Sequence, residues 1–271
     1  MQNKLSTITL AVIASTLLLA SASASATNYK GDYKGEAMPA PAPCPQPLML
    51  RDGFYLGAQV GYDAYRVRAS SSLAYPALAG AAAGSFAANP VIAENGFAGG
   101  IFGGYGMYFS NWYYLGAEVF VNGSAASQAQ NYSTTTIAAA TGNSTSRGGY
   151  EKVSTGMSWG ISVLPGIKVN DSTLTYIRLG YNQAKLKGQS AFGVSQTTVA
   201  GVTTSTVSNQ SKNQWQGGFN YGLGIETAVY PNVSVRSEYS HTGYNSFSDA
   251  NGTSYSPSDN QMMVSLIYHF A

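Results

Sequence analysis

From Gly53 onward, bulky apolar side chains recur at every second position, the spacing that places them on one face of a β-strand. Eight segments carry this alternation: 53–67 (GFYLGAQVGYDAYRV), 95–109 (NGFAGGIFGGYGMYF), 112–122 (WYYLGAEVFVN), 153–169 (VSTGMSWGISVLPGIKV), 173–183 (TLTYIRLGYNQ), 215–230 (WQGGFNYGLGIETAVY), 233–244 (VSVRSEYSHTGY) and 261–271 (QMMVSLIYHFA). In the first, Phe54, Leu56, Ala58, Val60 and Tyr62 share one face, while Tyr55, Gly57, Gln59, Gly61 and Asp63 share the other. In the last, Phe270, Tyr268, Leu266, Val264 and Met262 make the apolar face. Throughout, the opposite face holds Gly, hydroxyls, amides and most of the charges.

Composition decides which face is outside. Charged residues make up 10% of the chain, against about 25% in an average soluble domain. Too few charges exist to coat a water-facing sandwich. The pattern therefore predicts an all-β, eight-stranded antiparallel up-and-down transmembrane barrel over 53–270, apolar toward lipid and polar toward a closed lumen. Connections alternate between tight and long. Turns at Ser110–Asn111, Asn170–Ser172 and Pro231–Asn232 are predicted on the periplasmic side, with external loops at 69–94, 123–152, 188–212 and 245–258. The stretch 197–207 (TTVAGVTTSTV) alternates again around Ala200 and Gly201, which predicts a hairpin continuing above the membrane. Trp112, Tyr113, Tyr230, Tyr268 and Phe270 fall at strand ends where an aromatic girdle sits.

The N-terminal 26 residues combine Lys4, an apolar run from Ile8 to Ala20 and small residues at Ala24 and Ala26, the signature of a secretory signal peptide. Residues 27–52 are polar and then Pro-rich, and read as an extended periplasmic linker. Cys44, the single cysteine, lies in it and can form no internal disulfide. A net charge of +2 without a Lys/Arg cluster excludes the electrostatic footprint of a nucleic-acid binder.

Three stretches, GFYLGAQVGY at 53–62, VRSEYSHTGYNSF at 235–247 and the closing strand, resemble the small eight-stranded outer-membrane barrels of Gram-negative bacteria, the opacity-protein-like surface antigens and OmpA/OmpX-like barrels. The resemblance covers about residues 53–270. It implies outer-membrane lipid as the surroundings, and an assembly signal read by the barrel assembly machinery from Leu266, Tyr268 and Phe270. The chain departs from that pattern in ending with Ala271 after Phe270.

Candidate chemistry is sparse. Glu118, Arg178, Glu226, Arg236 and Glu238 all lie on the inward face a few residues above a periplasmic turn, which predicts a carboxylate and guanidinium network with a structural role in the lower lumen. Tyr55, Phe102, Tyr108, Tyr114, Phe120 and Tyr176 also point inward, over glycines, in a barrel only wide enough for its side chains. A narrow ion-conducting pore is the alternative reading of this lumen. The resemblance also implies a third reading, lipid A modification by a Ser and His pair, for which Ser240, His241 and Ser246 are the candidates. Adjacent strand residues face opposite ways, and Gly243 stands where a His-x-Ser serine would be, so no catalytic residue is assigned. His269 is expected in the periplasmic mouth. Two histidines and a distant cysteine supply no metal site, and GGIFGGYG at 99–106 precedes no helix, so no cofactor is expected. The external loops, with Glu94, Arg147, Glu151, Lys152, Lys212 and Asp249 among Ser, Thr and Asn, are expected either to contact host or cell-surface proteins or, equally, to form a variable, solvated coat.

Overall fold

The computed structural model describes residues 48–75, 84–110, 112–137, 142–249 and 252–270. The signal peptide, Cys44, Asn111 and Ala271 lie outside them. The described residues form eleven strands in chain order: β1(Gly53–Tyr75), β2(Gly84–Ala88), β3(Val91–Phe109), β4(Tyr113–Ser124), β5(Ser127–Ile137), β6(Ser144–Asn170), β7(Thr173–Thr197), β8(Thr203–Tyr230), β9(Val233–Tyr244), β10(Phe247–Ser248) and β11(Ser254–His269). Eight of them close a ring, β1-β3-β4-β6-β7-β8-β9-β11, in which each pairs antiparallel with the next and β11 returns to β1. Ala58, for example, is opposite Ile101 on one side and Leu266 on the other. A closed ring satisfies every backbone donor and acceptor within the span, which hydrocarbon demands.

The turns at the periplasmic end have clear local causes. Ser110 takes a left-handed φ of 51°, reversing β3 into β4. Asn170 Oδ1 accepts from both the amide (2.9 Å) and the hydroxyl (3.0 Å) of Ser172, an Asx turn.

Side chains obey the inverted polarity through the span. Phe54 is 68% exposed and Leu223 63%, whereas Arg236 is 2% exposed. The rings Tyr55, Phe102, Tyr114, Phe120 and Tyr176 are buried in the lumen, with Tyr108 half-buried. They lie over glycines as the alternation predicts: a Cβ on Gly57 would run into the Phe102 ring, and one on Gly224 into Tyr176.

The strands run well past the expected spans, which corrects the reading of the external segments as loops. β6, β7 and β8 are 27, 25 and 28 residues long, against 12 for β4 and β9. β7 and β8 keep one continuous register from Thr173↔Thr227 to Thr197↔Thr203, and the turn there uses Gly201 at φ 82°. The hairpin expected around Ala200 and Gly201 thus forms. β5 adds to β6, giving a four-stranded sheet, β5-β6-β7-β8, outside the membrane. In this polar Ser/Thr-rich stretch neither face is apolar enough to show a period, yet Thr suits a strand.

A bulge in β6 between Thr155 and Ser158 shifts the register against β7 by one residue. Below it even-numbered residues face inward; above it Thr155, Val153 and Glu151 do. The polarity rule changes at this level too. Tyr65, Val67, Ile92, Val153, Leu186, Tyr244, Phe247 and Tyr255 pack an apolar core inside the outer end of the barrel. At the opposite end Leu50 packs with Tyr114, Leu164, Leu174, Tyr176 and Ala228. Its amide donates to Asp171 O at 3.0 Å, and Asp52 Oδ1 accepts from the Tyr108 amide at 2.7 Å. The last residues of the segment read as a linker therefore lie across the periplasmic mouth.

Candidate functional site

Strand alternation alone brings the five inward charges to one layer. Glu118 on β4 sits between the outward Ala117 and Val119, and Arg178 on β7 between Ile177 and Leu179. Glu226 and Glu238 come from β8 and β9, and Arg236 lies directly opposite Glu226. Arg236 Nη1 donates to Glu118 Oε2 at 2.6 Å, while its Nε (3.1 Å) and Nη2 (2.9 Å) share Glu226 Oε2. Arg178 Nη2 donates to Glu118 Oε1, its Nη1 to Ser162 Oγ at 3.1 Å, and its Nε lies 2.7 Å from Glu238 Oε1. Tyr55 OH (3.2 Å) adds to Glu118, Tyr176 OH to Glu238, and Ser234 Oγ (2.6 Å) to Glu226.

The guanidinium of Arg236 lies 5.0 to 5.5 Å from the ring centroids of Phe102, Tyr176 and Tyr55, and that of Arg178 lies 5.3 Å from Phe120. Aromatic faces thus take the place of water on the cations. His269 Nε2 lies 3.0 Å from Ser234 Oγ and 3.1 Å from Glu226 Oε1, which joins it to the same layer in the periplasmic mouth. Above the charges is a layer of amides and hydroxyls, where Gln59 donates to Asn122 Oδ1 (2.6 Å), Asn182 to Tyr244 OH (3.0 Å) and Asn220 to Thr242 Oγ1 (2.9 Å).

The remaining candidates fall apart. Ser240 is buried in the lumen, whereas His241 faces outward, its Nδ1 2.9 Å from Asn260 Oδ1 and its ring 5.2 Å from that of Tyr221. Ser246 Oγ lies 2.8 Å from Ser256 Oγ. Among the described residues no group of His, Cys, Asp and Glu has metal-site geometry.

Glu94, Glu151 and Asp249, read as charges of solvated loops, are instead buried. Asp249 accepts from Ser190 Oγ (2.6 Å) and the Thr253 amide (2.9 Å). Asp63 and Asp259 join them on the inward side, at 0% and 1% exposure. The phase of β11 would have found Asp259, since it shares parity with the inward Gln261, Met263 and Ser265. Leu266, Tyr268 and Phe270 face outward, with the last two rings edge to face at 5.2 Å, and the Phe270 amide bonds Phe54 O at 2.9 Å.

Outside the membrane, β8 pairs with β9 only from Gly218 downward. Among the described residues no strand lies beside 203–216 on the side away from β7, and most of these residues are exposed.

A closed eight-strand ring with oily exterior, ion-paired interior and a sheet rising from one end defines a transmembrane β-barrel. The chain belongs to the outer membrane protein beta-barrel domain family, which matches residues 12–270 and places it in the outer membrane. Among solved structures it is similar to Ail, the attachment invasion locus protein of Yersinia pestis, at 13% identity over 80% of this chain and 99% of that one, with a TM-score of 0.33. Neisserial surface protein A matches at 17% identity over 80% and 97%, TM-score 0.33, and the outer membrane protease OmpT of Escherichia coli at 11% over 81% and 97%, TM-score 0.28. Likeness at this level carries no inference about activity. No curated protein matches the chain.

Proposed function

We propose that this barrel is a non-enzymatic surface-interaction protein, an adhesin or surface antigen, that engages extended segments of host or cell-surface proteins through its external sheet, chiefly along the outer edge of β8 at 203–207 and 209–216. The observation carrying this reading is that edge. Sheet proteins ordinarily defend an open edge with prolines, lysines or bulges. Residues 203–216 contain no proline and one lysine, Lys212, whose Nζ is held on Ser248 O at 2.9 Å. A row of backbone donors and acceptors on a long, preformed strand suits strand addition, in which main-chain bonds supply affinity.

The lumen supports the same reading. The ion-paired layer lies between the apolar core around Tyr65 and Leu186 and the Leu50 cluster, an arrangement suited to stiffening a barrel. A narrow ion-conducting pore would have to pass both. Steady unitary conductance of the full chain in planar bilayers, altered by Arg178→Gln or Glu226→Gln, would favour that alternative. Altered lipid A in expressing cells, lost in His241→Ala, would instead favour an enzyme.

Ala191 and Asn209 are register partners, so residues 191–209 can be excised and Ser190 joined to Gln210 through a two-residue turn. Cells displaying the full chain should adhere to immobilised host-cell surface proteins, and cells displaying the shortened barrel should not, with unchanged heat-modifiable migration of both proteins. Undiminished adhesion by the shortened barrel would remove the reading.

A further inference from the structure

The pairing of β1 with β11 closes the ring, and two carboxylates face the lumen along that seam. Asp63 on β1 is opposite Gln261, and Asp259 on β11 is opposite Tyr65, so the two acids are diagonal neighbours across the closure. Diagonal residues on one face of a sheet stand about 7–8 Å apart, close enough for their carboxylates to share one ion. Both side chains are fully enclosed, Asp63 at 0% exposure and Asp259 at 1%.

Among the described residues, no cation is placed to neutralise this pair. The ion-paired layer below has none to lend, since Arg178 and Arg236 are already divided among Glu118, Glu226 and Glu238. Arg66 and Arg68, next along β1, alternate with the buried Val67 and face outward. Arg147 and Lys212 occupy inward positions higher up. Lys212 holds Ser248 O with its Nζ at 2.9 Å, and Arg147 lies past Val153 of the outer apolar core on β6.

Hydrogen bonding does not make up the difference. Ser124 and Gln261 flank Asp63 and Tyr65 flanks Asp259, yet both oxygens of Asp63 and Oδ1 of Asp259 lack a hydrogen bond of normal geometry. Asn220 on β8 faces the same layer at 2% exposure. Its Nδ2 is fixed on the hydroxyl of Thr242, the β9 residue that is register partner to both Asn220 and Asp259, and its Oδ1 has no donor. Asn182 on β7 repeats the arrangement, with Nδ2 on Tyr244 OH and Oδ1 without a donor. The orphaned atoms of these four side chains are all acceptors. Buried charge of one sign is costly until something positive meets it.

We infer that Asp63 and Asp259, with Asn220 Oδ1 as a further ligand, hold one calcium ion that clips β1 to β11 inside the lumen. A single divalent cation cancels both charges. Carboxylate and amide oxygens without sulfur or imidazole suit a hard cation. Among these, calcium accepts irregular geometry, whereas magnesium demands an octahedron and keeps its waters. The site is no cluster of three acids, which the described residues do not form, but a pair of acids completed by amide oxygen. The apolar core around Tyr65 lies above it and the ion-paired layer below, so the ion enters as the ring closes and leaves only when it opens. This inference is independent of the β8 edge.

Refolding of the purified full chain from urea into neutral detergent tests it. Refolded with calcium and then desalted against a chelator, the chain should retain about one calcium ion by elemental mass spectrometry. Refolded with magnesium alone, or with chelator throughout, it should retain none and should unfold at a lower urea concentration, followed by gel migration. Asp63→Asn and Asp259→Asn, which keep the shape and remove the charge, should each lose the retained calcium and the calcium-dependent gain in stability. Asp171→Asn, on the exposed periplasmic turn, should keep both. Should an asparagine variant not migrate as a folded barrel, the calcium, magnesium and chelator arms on the unaltered chain decide. No retained calcium in the unaltered chain, or undiminished retention in both lumen variants, would overturn the inference. So would stability that ignores calcium and rises in Asp63→Asn, which would make the pair a holder of a shared proton.

Discussion

Glu226 and Arg236 are register partners on β8 and β9, and two nitrogens of the arginine converge on the single oxygen Oε2. Arg236 also reaches Glu118, so its removal leaves two carboxylates short of a cation inside the lumen. Arg236→Ala should destabilise the folded barrel by about 3–5 kcal/mol, because the loss strands buried charge. Combining Arg236→Met with Glu226→Gln should recover part of the loss. Urea unfolding in detergent, followed by gel migration, measures both, and an unchanged midpoint for the single variant would contradict the account.

The ring-over-glycine packing makes an opposite kind of prediction, a cost from adding atoms. Gly57→Ala pushes a methyl into the Phe102 ring and should cost about 1–3 kcal/mol through overpacking. Phe102→Leu in the same chain should relieve it. Additive effects in this double-mutant cycle would show that the two side chains do not meet.

Leu50 makes the periplasmic mouth part of the fold. Leu50→Ala should lower stability by about 2 kcal/mol and speed hydrogen exchange at the Leu50 amide, which donates to Asp171 O. Exchange as slow as in the unaltered chain would mean the segment is held by other contacts.

We propose that the outward Leu266, Tyr268 and Phe270 form the signal read by the assembly machinery. Phe270→Ser should then reduce folded barrel in cells severalfold while refolding into detergent from urea stays close to that of the unaltered chain. Equal losses in both settings would mark Phe270 as a packing residue only.

Alternation in the sequence was enough for the eight ring strands, for the outward Leu223 and inward Arg236, and for which five charges share a level, because through the span one face must satisfy lipid and the other must not. It was not enough outside the membrane. There the inward face turns apolar at Val67 and Leu186 and the strands grow polar on both sides, so the period fades while the hydrogen bonding continues. Leu50 was hidden for another reason. A single leucine in a Pro-rich stretch has no period, and its burial comes from the chain folding back beneath the barrel.

The β6 bulge hid Glu151 and Lys152 as well: counting upward from Trp159 puts the carboxylate out and the lysine in, the reverse of their positions. That one-residue slip separates two stretches of the same strand that answer to different solvents. Above it, this hairpin can lengthen, shorten or exchange residues with no matching change in the hydrocarbon-facing part, so the exterior of the molecule is free to diversify while the span beneath stays as it is.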